Sequence, residues 1–400
     1  MAQKKLKILQ IVPYYYPAWA YGGIPRVVYE LATELTRRGH RVSVFTTDVL
    51  DQHMRSPYSG ITTNINGVQA TYFRNLSNRL AYDYQIYLPM KMSQSTRVAI
   101  EESDIVHMHG HRNFLNNIVH STTTMSQKNY IFSAHGTAIS IERRLLAKKI
   151  FDFIFGNCIL RDAKHFIAVS EKEVDQYGAM GITRNKVTVV HNGIDINAFQ
   201  NLPEKGTFRR RYGLEEKKII LFLGKITPRK GVDFLVRAYS LLQSDNTVLV
   251  IAGNDMGYKS EVERLITTRN LRGRVIFTGL LIDGEKLAAY QDADVLVYPS
   301  VYEIFGLVPF EAMLCGTPVI VSDDCGCGEI ISREGIGKVV RYNDDRGLRD
   351  AIEEALKDPA HLDEMTLRGR QFIKQNLSWE TITEQYEDVY YRSIDSNRHH

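Results

Sequence analysis

The chain has 400 residues, 44% of them hydrophobic and 24% charged, a globular balance in a length that exceeds what one core holds, so two domains are expected. The formal net charge of +4 is too small to call for a nucleic-acid partner. It is unevenly spread: residues 1–195 carry 23 Lys+Arg against 15 Asp+Glu, and the remainder 27 against 31, so the basic first half favours an anionic substrate or surface.

Cys158, Cys315, Cys325 and Cys327 are too few and too scattered for a disulfide framework, and Cys325-Gly326-Cys327 has the wrong spacing for a zinc knuckle. Reduced thiols and a cytoplasmic location are expected. The opening MAQKKLKILQIVP has only a short apolar run and reads as a first strand, not a signal peptide. No apolar stretch reaches transmembrane length.

Lys7 to Val12 is the first buried strand, and an aromatic, Pro-bounded loop leads from it to Gly22-Gly23. A helix follows from Ile24, with Pro25 near its first position, where a missing N–H costs nothing. Val27, Leu31 and Leu35 mark its buried face, and Gly39-His40 ends it. RVSVFTT is the second strand. This arrangement sets Gly22 and Gly23 at the carboxyl edge of a sheet, where doubly wound folds bind ligands. Two glycines let a backbone come close to a phosphate or sugar, or simply make a tight turn. No G-x-G-x-x-G follows the first strand, which argues against a dinucleotide oxidoreductase.

Asn64-Ile65-Asn66-Gly67 links short strands. From Asp104 a strand runs into a loop with His107, His109 and His111 alternating along it. Such residues lie roughly 6.5–7 Å apart, too far for a compact zinc site, and no metal is expected. His135 ends the next strand at the same edge. Residues 141–158 combine Arg143, Arg144, Lys148 and Lys149 with Ile150, Phe151, Phe153, Ile154 and Phe155. Two readings are open: an amphipathic segment touching a membrane surface, or a helix packing its apolar face on the sheet.

In the second half, KIILFLGKITPRKGVDFLVRAYSLL reads as a strand, a loop and a helix starting near Val232. Lys225, Arg229 and Lys230 stand in that glycine-bounded loop. They suit a diphosphate whose charge rises as a bond to it breaks, or a solvated loop. Asp292-Ala293-Asp294 is formally D-x-D, a metal–nucleotide pattern, yet it falls at the amino end of the strand VLVYPS and so reads as structural. That strand leads into a loop with Glu303. A helix over Leu307 to Leu314 carries Glu311, Gly316-Thr317-Pro318 stops it, and PVIVS is the next strand. The N–H groups of Phe305, Gly306 and Leu307 open the helix toward an anion. Carboxylates beside such a helix end suit a ligand bearing hydroxyls as well as phosphate.

The phrase from Glu303 to Ile320, E-x-F-G-L-x-x-x-E-A-M-x-C-G-T-P-V-I, resembles the signature of the retaining glycosyltransferases of family 4. The resemblance implies the α/β GT-B fold, with two Rossmann-like, doubly wound domains facing across a cleft. It implies an acceptor domain over residues 1–196, a nucleotide-sugar donor domain over 197–375, and a terminal helix over 376–400 that crosses back to the first domain. It further implies that Glu303 binds hydroxyls of the transferred sugar and Glu311 those of the ribose. Lys225, in place of the usual Arg, and Lys230 stabilise the departing diphosphate, with Arg229 assisting. His109 meets the donor sugar, His135 supports it from behind, and Gly22-Gly23 approach the donor. The implied enzyme is a metal-independent retaining hexosyltransferase without a cofactor. It moves a sugar from a nucleotide-diphosphate sugar to a glycan or lipid-linked acceptor in cell-surface polysaccharide or glycolipid synthesis. Two alternatives are a nucleotide-sugar hydrolase or epimerase of the same fold, and a non-catalytic nucleotide-sugar-binding scaffold.

Overall fold

A computed structural model describes residues 4–138 and 145–395. The chain divides into two compact units, Met1–Gly193 with Trp379–His400, and Ile194–Ser378. Both breaks lie three residues from the boundaries read off the sequence, at 196 and 375.

The first unit is built on β1 (Lys7–Ile11), β2 (Arg41–Thr47), β3 (Thr62–Ile65), β4 (Val68–Phe73), β5 (Ile105–His109), β6 (Tyr130–Ser133), β7 (His165–Ala168) and β8 (Val187–Val189). They form one sheet in the order β3-β4-β2-β1-β5-β6-β7-β8. Every pairing is parallel except β3 with β4. That hairpin turns through Asn66 and Gly67, both with positive φ, as a two-residue hairpin turn demands. Ile8, Leu9, Gln10 and Ile11 are all buried, the unbroken pattern of a central strand covered on both faces. The helix Gly23–Arg37 buries Val27, Leu31 and Leu35 as their spacing requires.

The terminal helix Trp379–Asp395 completes this unit. Its Glu387 carboxylate takes bonds from His40 Nε2 at 2.6 Å and the Arg38 guanidinium at 2.9 Å, and its Tyr390 hydroxyl lies 2.8 Å from His107 Nδ1. Gly193, where the chain leaves the unit, lies against Trp379: a Cβ there would fall 2.4 Å from the indole.

The second unit has six strands, β9 (Lys218–Leu223), β10 (Thr247–Ala252), β11 (Val275–Gly279), β12 (Val295–Tyr298), β13 (Val319–Ser322) and β14 (Lys338–Val340), in the order β11-β10-β9-β12-β13-β14, all parallel. Both aspartates of the D-x-D pattern are structural. Asp292 accepts from the backbone N–H groups of Gly206, Phe208 and Arg209 at 2.6, 2.8 and 3.1 Å and so caps the helix Thr207–Tyr212. Asp294 binds Arg209, Lys218 and the N–H of Ile219, tying the start of β9 to that of β12. No helix among the described residues is long and apolar enough to cross a membrane.

Candidate active site

Among the parallel strands of each sheet the order reverses once, between β1 and β5 in the first unit and between β9 and β12 in the second. Loops leaving adjacent strands on either side of such a point diverge to opposite faces and open a crevice at the carboxyl ends. The residues marked by the sequence lie at the ends of these four strands or in the loops and helices after them, except His135, which follows β6.

In the second unit, β9 delivers Lys225, Arg229 and Lys230, and β12 delivers Glu303. Gly231, with φ +65°, lets the first loop lie against the second: a Cβ there would fall 2.1 Å from the Pro299 carbonyl oxygen. The two loops also join through the Val301 N–H to the Arg229 carbonyl at 2.8 Å and the Arg229 guanidinium to the Tyr302 carbonyl at 2.7 Å. The Lys230 ammonium consequently donates to the Tyr298 hydroxyl at 2.7 Å and to the Glu303 carboxylate, and the same hydroxyl lies 3.0 Å from Glu303 Oε2. Burial alone would raise the Glu303 pKa, but the Lys230 charge and these hydrogen bonds outweigh it and hold the carboxyl below its usual range. Burial and the Glu303 charge push the Tyr298 phenol well up, so it stays a donor. Lys225 is exposed at the end of β9; surrounding protein and the Lys230 charge lower its pKa.

The helix carrying Glu311 runs from Val308 to Leu314, with Leu307 at its N-cap. Gly306, at φ +85°, makes the turn into it. Phe305 is buried with its ring 5.6 Å from that of Phe310, so its side chain anchors the loop and only its backbone is available to a ligand. Glu311 Oε2 accepts from the Lys286 ammonium at 3.0 Å and the Tyr290 hydroxyl at 2.9 Å. Beneath the Glu303 loop, Gly326 donates its N–H to the Glu303 carbonyl at 2.8 Å. A Cβ on Gly326 would meet the Ile304 carbonyl oxygen at 1.8 Å. All four cysteines are free.

In the first unit, Gly22 has φ +104° and caps the helix that starts at Gly23, with open space around both. Backbone conformation demands glycine at Gly22; Gly23 is not so constrained. His107, His109 and His135 form one stack: His107 and His109 have ring centroids 3.9 Å apart, and His109 Nδ1 lies 2.9 Å from His135 Nε2. The sequence reading has His109 meeting the donor sugar and His135 supporting it from behind. His109 is fully enclosed and His135 half-buried as a residue, while His109 Nε2 and His135 Nδ1 are both buried. Desolvation lowers the pKa of all three, that of His135 to about 4, so the rings are neutral near pH 7. His135 has φ +52° and Gly136 +78°, a turn held by the buried Glu173 carboxylate. That carboxylate accepts from the N–H of Gly136 at 2.6 Å and of Val169 at 2.8 Å.

Sequence reasoning missed four of these side chains. Tyr298 is the last residue of β12, and Lys286 and Tyr290 stand four apart on the helix Asp283–Asp292, a spacing that shares a face. Ser170-x-x-Glu173 has the spacing of a capping box, but the Glu173 carboxylate reaches past Ser170 to Gly136. No sequence signal gives that second partner.

Residues 204–372 match the model of the glycosyl transferases group 1, and residues 21–198 that of glycosyltransferase family 4. The chain is 29% identical to an uncharacterized glycosyltransferase of Methanocaldococcus jannaschii, over 96% of this chain and 97% of that one. It is 27% identical to a D-inositol 3-phosphate glycosyltransferase of Kineococcus radiotolerans, over 93% and 91%. Among solved structures it resembles Anabaena HepE in complex with UDP and glucose, with a TM-score of 0.74 and 18% identity, over 97% of this chain and all of that one. The two sheets are those of the GT-B fold. The chain is therefore a glycosyltransferase that uses a nucleotide-sugar donor, and it belongs to glycosyltransferase family 4.

Proposed function

We propose that the protein moves a hexosyl group from a uridine-diphosphate sugar to a hydroxyl of a glycan or lipid-linked acceptor. The anomeric configuration is retained, and the product enters a cell-surface polysaccharide or glycolipid. The observation that carries this reading is the Lys230–Tyr298–Glu303 cluster at the switch point of the second sheet, where a cation and an ionised carboxylate stand side by side. A diphosphate needs the first and a sugar hydroxyl the second. The UDP and glucose held by the Anabaena protein support uridine as the base. A cytoplasmic setting, where the cysteines stay reduced, is part of the reading.

In the proposed reaction the bond between the sugar's anomeric carbon and the diphosphate oxygen breaks first. Lys230 and Arg229, with Lys225, meet the charge gathering on the leaving diphosphate, and the backbone of Phe305, Gly306 and Leu307 adds N–H donors. Glu303 holds hydroxyls of the transferred sugar. Glu311 accepts from the ribose through Oε1, since both its protein donors lie on Oε2. The acceptor oxygen attacks from the face the diphosphate leaves, and its proton passes to a diphosphate oxygen. Retention follows without a covalent enzyme intermediate. Gly22 and Gly23 bring backbone close to the donor. In the first unit His109 serves the donor sugar in this reading, and His135 supports it through the 2.9 Å contact between His109 Nδ1 and His135 Nε2.

The test is UDP release from a panel of UDP-sugars with glycan and lipid-linked acceptors, with the product's anomeric configuration read by NMR. Lys230→Ala is expected to lower kcat by roughly 10²–10³, as for one lost electrostatic stabiliser. Donor breakdown at full rate without acceptor would make the protein a hydrolase. Tight donor binding with no turnover would make it a scaffold.

A further inference from the structure

The helical stretch from Leu145 to Asp162 has one face that nothing in the described residues of its unit covers. It comprises an α-helix over Leu145–Phe151, a π-helical turn over Asp152–Gly156 and a further α-helix over Asn157–Asp162. Its inner face is well anchored. Ile159 and Leu160 are buried, Phe151 stacks edge-on to Phe114 at 5.7 Å, and Asp152 is clamped by the Arg112 guanidinium at 2.7 Å and His111 at 3.1 Å. A packed helix, one of the two sequence readings, is therefore half of the description. On the other face Phe153 is 83% exposed, Leu146 73%, Ile154 54% and Ile150 51%. Exposed apolar side chains scattered singly are ordinary, but four within nine residues form a patch that marks an interaction surface.

Charge decides what the patch fits. Lys149 is exposed and Lys148 half-buried in the same turns, while the one carboxylate among them, Asp152, points inward to Arg112. The face thus offers aromatic and aliphatic groups beside the exposed Lys149, with no carboxylate of residues 146–154 directed outward. An anionic bilayer presents the complement, phosphate headgroups over an apolar interior, and helices that lie in its plane carry this combination. We propose that residues 146–154 dock the first unit onto an anionic lipid surface, with Phe153, Ile154, Ile150 and Leu146 entering the headgroup–acyl boundary and Lys149 pairing with lipid phosphate. The sequence candidate extended to 141–158; residues 141–144 lie outside the described residues and play no part here. The inference deepens the proposed function, resting on it only for the idea that the acceptor is lipid-anchored.

The test is co-sedimentation of the full chain with vesicles of phosphatidylcholine alone and of phosphatidylcholine mixed with phosphatidylglycerol. The wild type is expected to bind the mixed vesicles and to release as salt is raised. The double variant Phe153→Ser/Ile154→Ser is expected to lose more than about tenfold in partitioning, because each such side chain gains over 1.4 kcal/mol on leaving water. Lys149→Glu is expected to lose about fivefold or more on the anionic vesicles only. Circular dichroism and UDP binding should match the wild type in both variants, since none of these residues belongs to the donor site. If the wild type stays in the supernatant with both vesicles, the proposal falls. It falls equally if the wild type is a dimer that the double variant converts to a monomer without any vesicle binding, because a second copy then covers the face. UDP binding is read independently, so a failure here leaves the glycosyltransferase reading standing.

Discussion

Lys230 and Glu303 form an ion pair inside the second unit, with the Tyr298 hydroxyl within hydrogen-bonding distance of both. The pair couples the two chemical tasks proposed for the site. A diphosphate that draws on the Lys230 charge weakens its hold on Glu303 and leaves that carboxylate to the sugar hydroxyls. Removing Lys230 should therefore do more than lose a phosphate contact. Burial would raise the Glu303 pKa once the cation that lowers it is gone, so the residual kcat/KM of Lys230→Ala should fall with acidification at a higher pH than in the wild type. Lys230→Arg keeps the charge and should keep the wild-type profile. Identical acid limbs in all three proteins would show that the pair is not coupled.

Glu311 makes a separate prediction. Tyr290→Phe removes one of the two donors to Oε2 and leaves Lys286 in place, so UDP affinity should fall by about 1 kcal/mol, or roughly fivefold, the net worth of one hydrogen bond to a charged group that keeps its other partner. Glu311→Ala should cost more, since the proposed ribose bond goes with it. Titration calorimetry with UDP orders the two; equal affinities for Glu311→Ala and wild type would remove Glu311 from the site.

Gly253 closes the crevice side of β10. It has φ +149°, and a Cβ there would lie 1.8 Å from the Gly224 carbonyl oxygen, backbone that carries Lys225. Gly253→Ala should destabilise the second unit by more than about 3 kcal/mol, the range of steric conflicts with fixed backbone. Gly284, in a helix and facing open space, is the control, and Gly284→Ala should be neutral or stabilising. Urea melts of both variants check the contrast.

The D-x-D pattern separates structure from chemistry. Asp292→Ala leaves three backbone N–H groups of residues 206–209 without their acceptor and should cost about 2–3 kcal/mol of stability. Turnover of the protein that remains folded should be unchanged. Loss of turnover at undiminished stability would instead restore the pattern to the active site.

The histidine stack predicts an acid-sensitive first unit. The folded pKa of His135 is about 4 against an ordinary 6.5. Between those values the unfolded chain binds a proton that the folded unit refuses, so stability falls as pH drops from 6.5 toward 4. For this one group the loss is about 2 kcal/mol on going from pH 7.5 to 5, and His107 and His109 shift in the same direction. Glu173 opposes them: its pKa is pushed up to about 7 by burial, so it favours the folded state more as pH falls from 7 toward its ordinary value. Denaturant melts of wild type and His135→Ala at the two pH values measure the His135 share, which should vanish in the variant.

The sequence by itself determined the two α/β domains, because unbroken buried strands and amphipathic helices alternate in both halves. It also determined which residues follow the crevice strands, because Gly306, Gly316 and Pro318 punctuate the chain at fixed offsets from Glu303 and Glu311. Local pattern also sufficed for Asp292 and Asp294, since their place at a strand's amino end fixed their edge of the sheet. Tertiary structure alone decided the partners. Lys230 lies 68 residues from Tyr298 and 73 from Glu303, and only parallel pairing of β9 with β12 makes them neighbours. The contact between His109 and His135 was likewise invisible in sequence, because they stand at the ends of adjacent strands and it takes the left-handed turn at His135 and Gly136 to bring the rings together. The uncovered face at Phe153 has the same origin: helical periodicity reveals that a segment is two-sided, whereas Arg112 and Phe114, from another element, decide which side is turned inward.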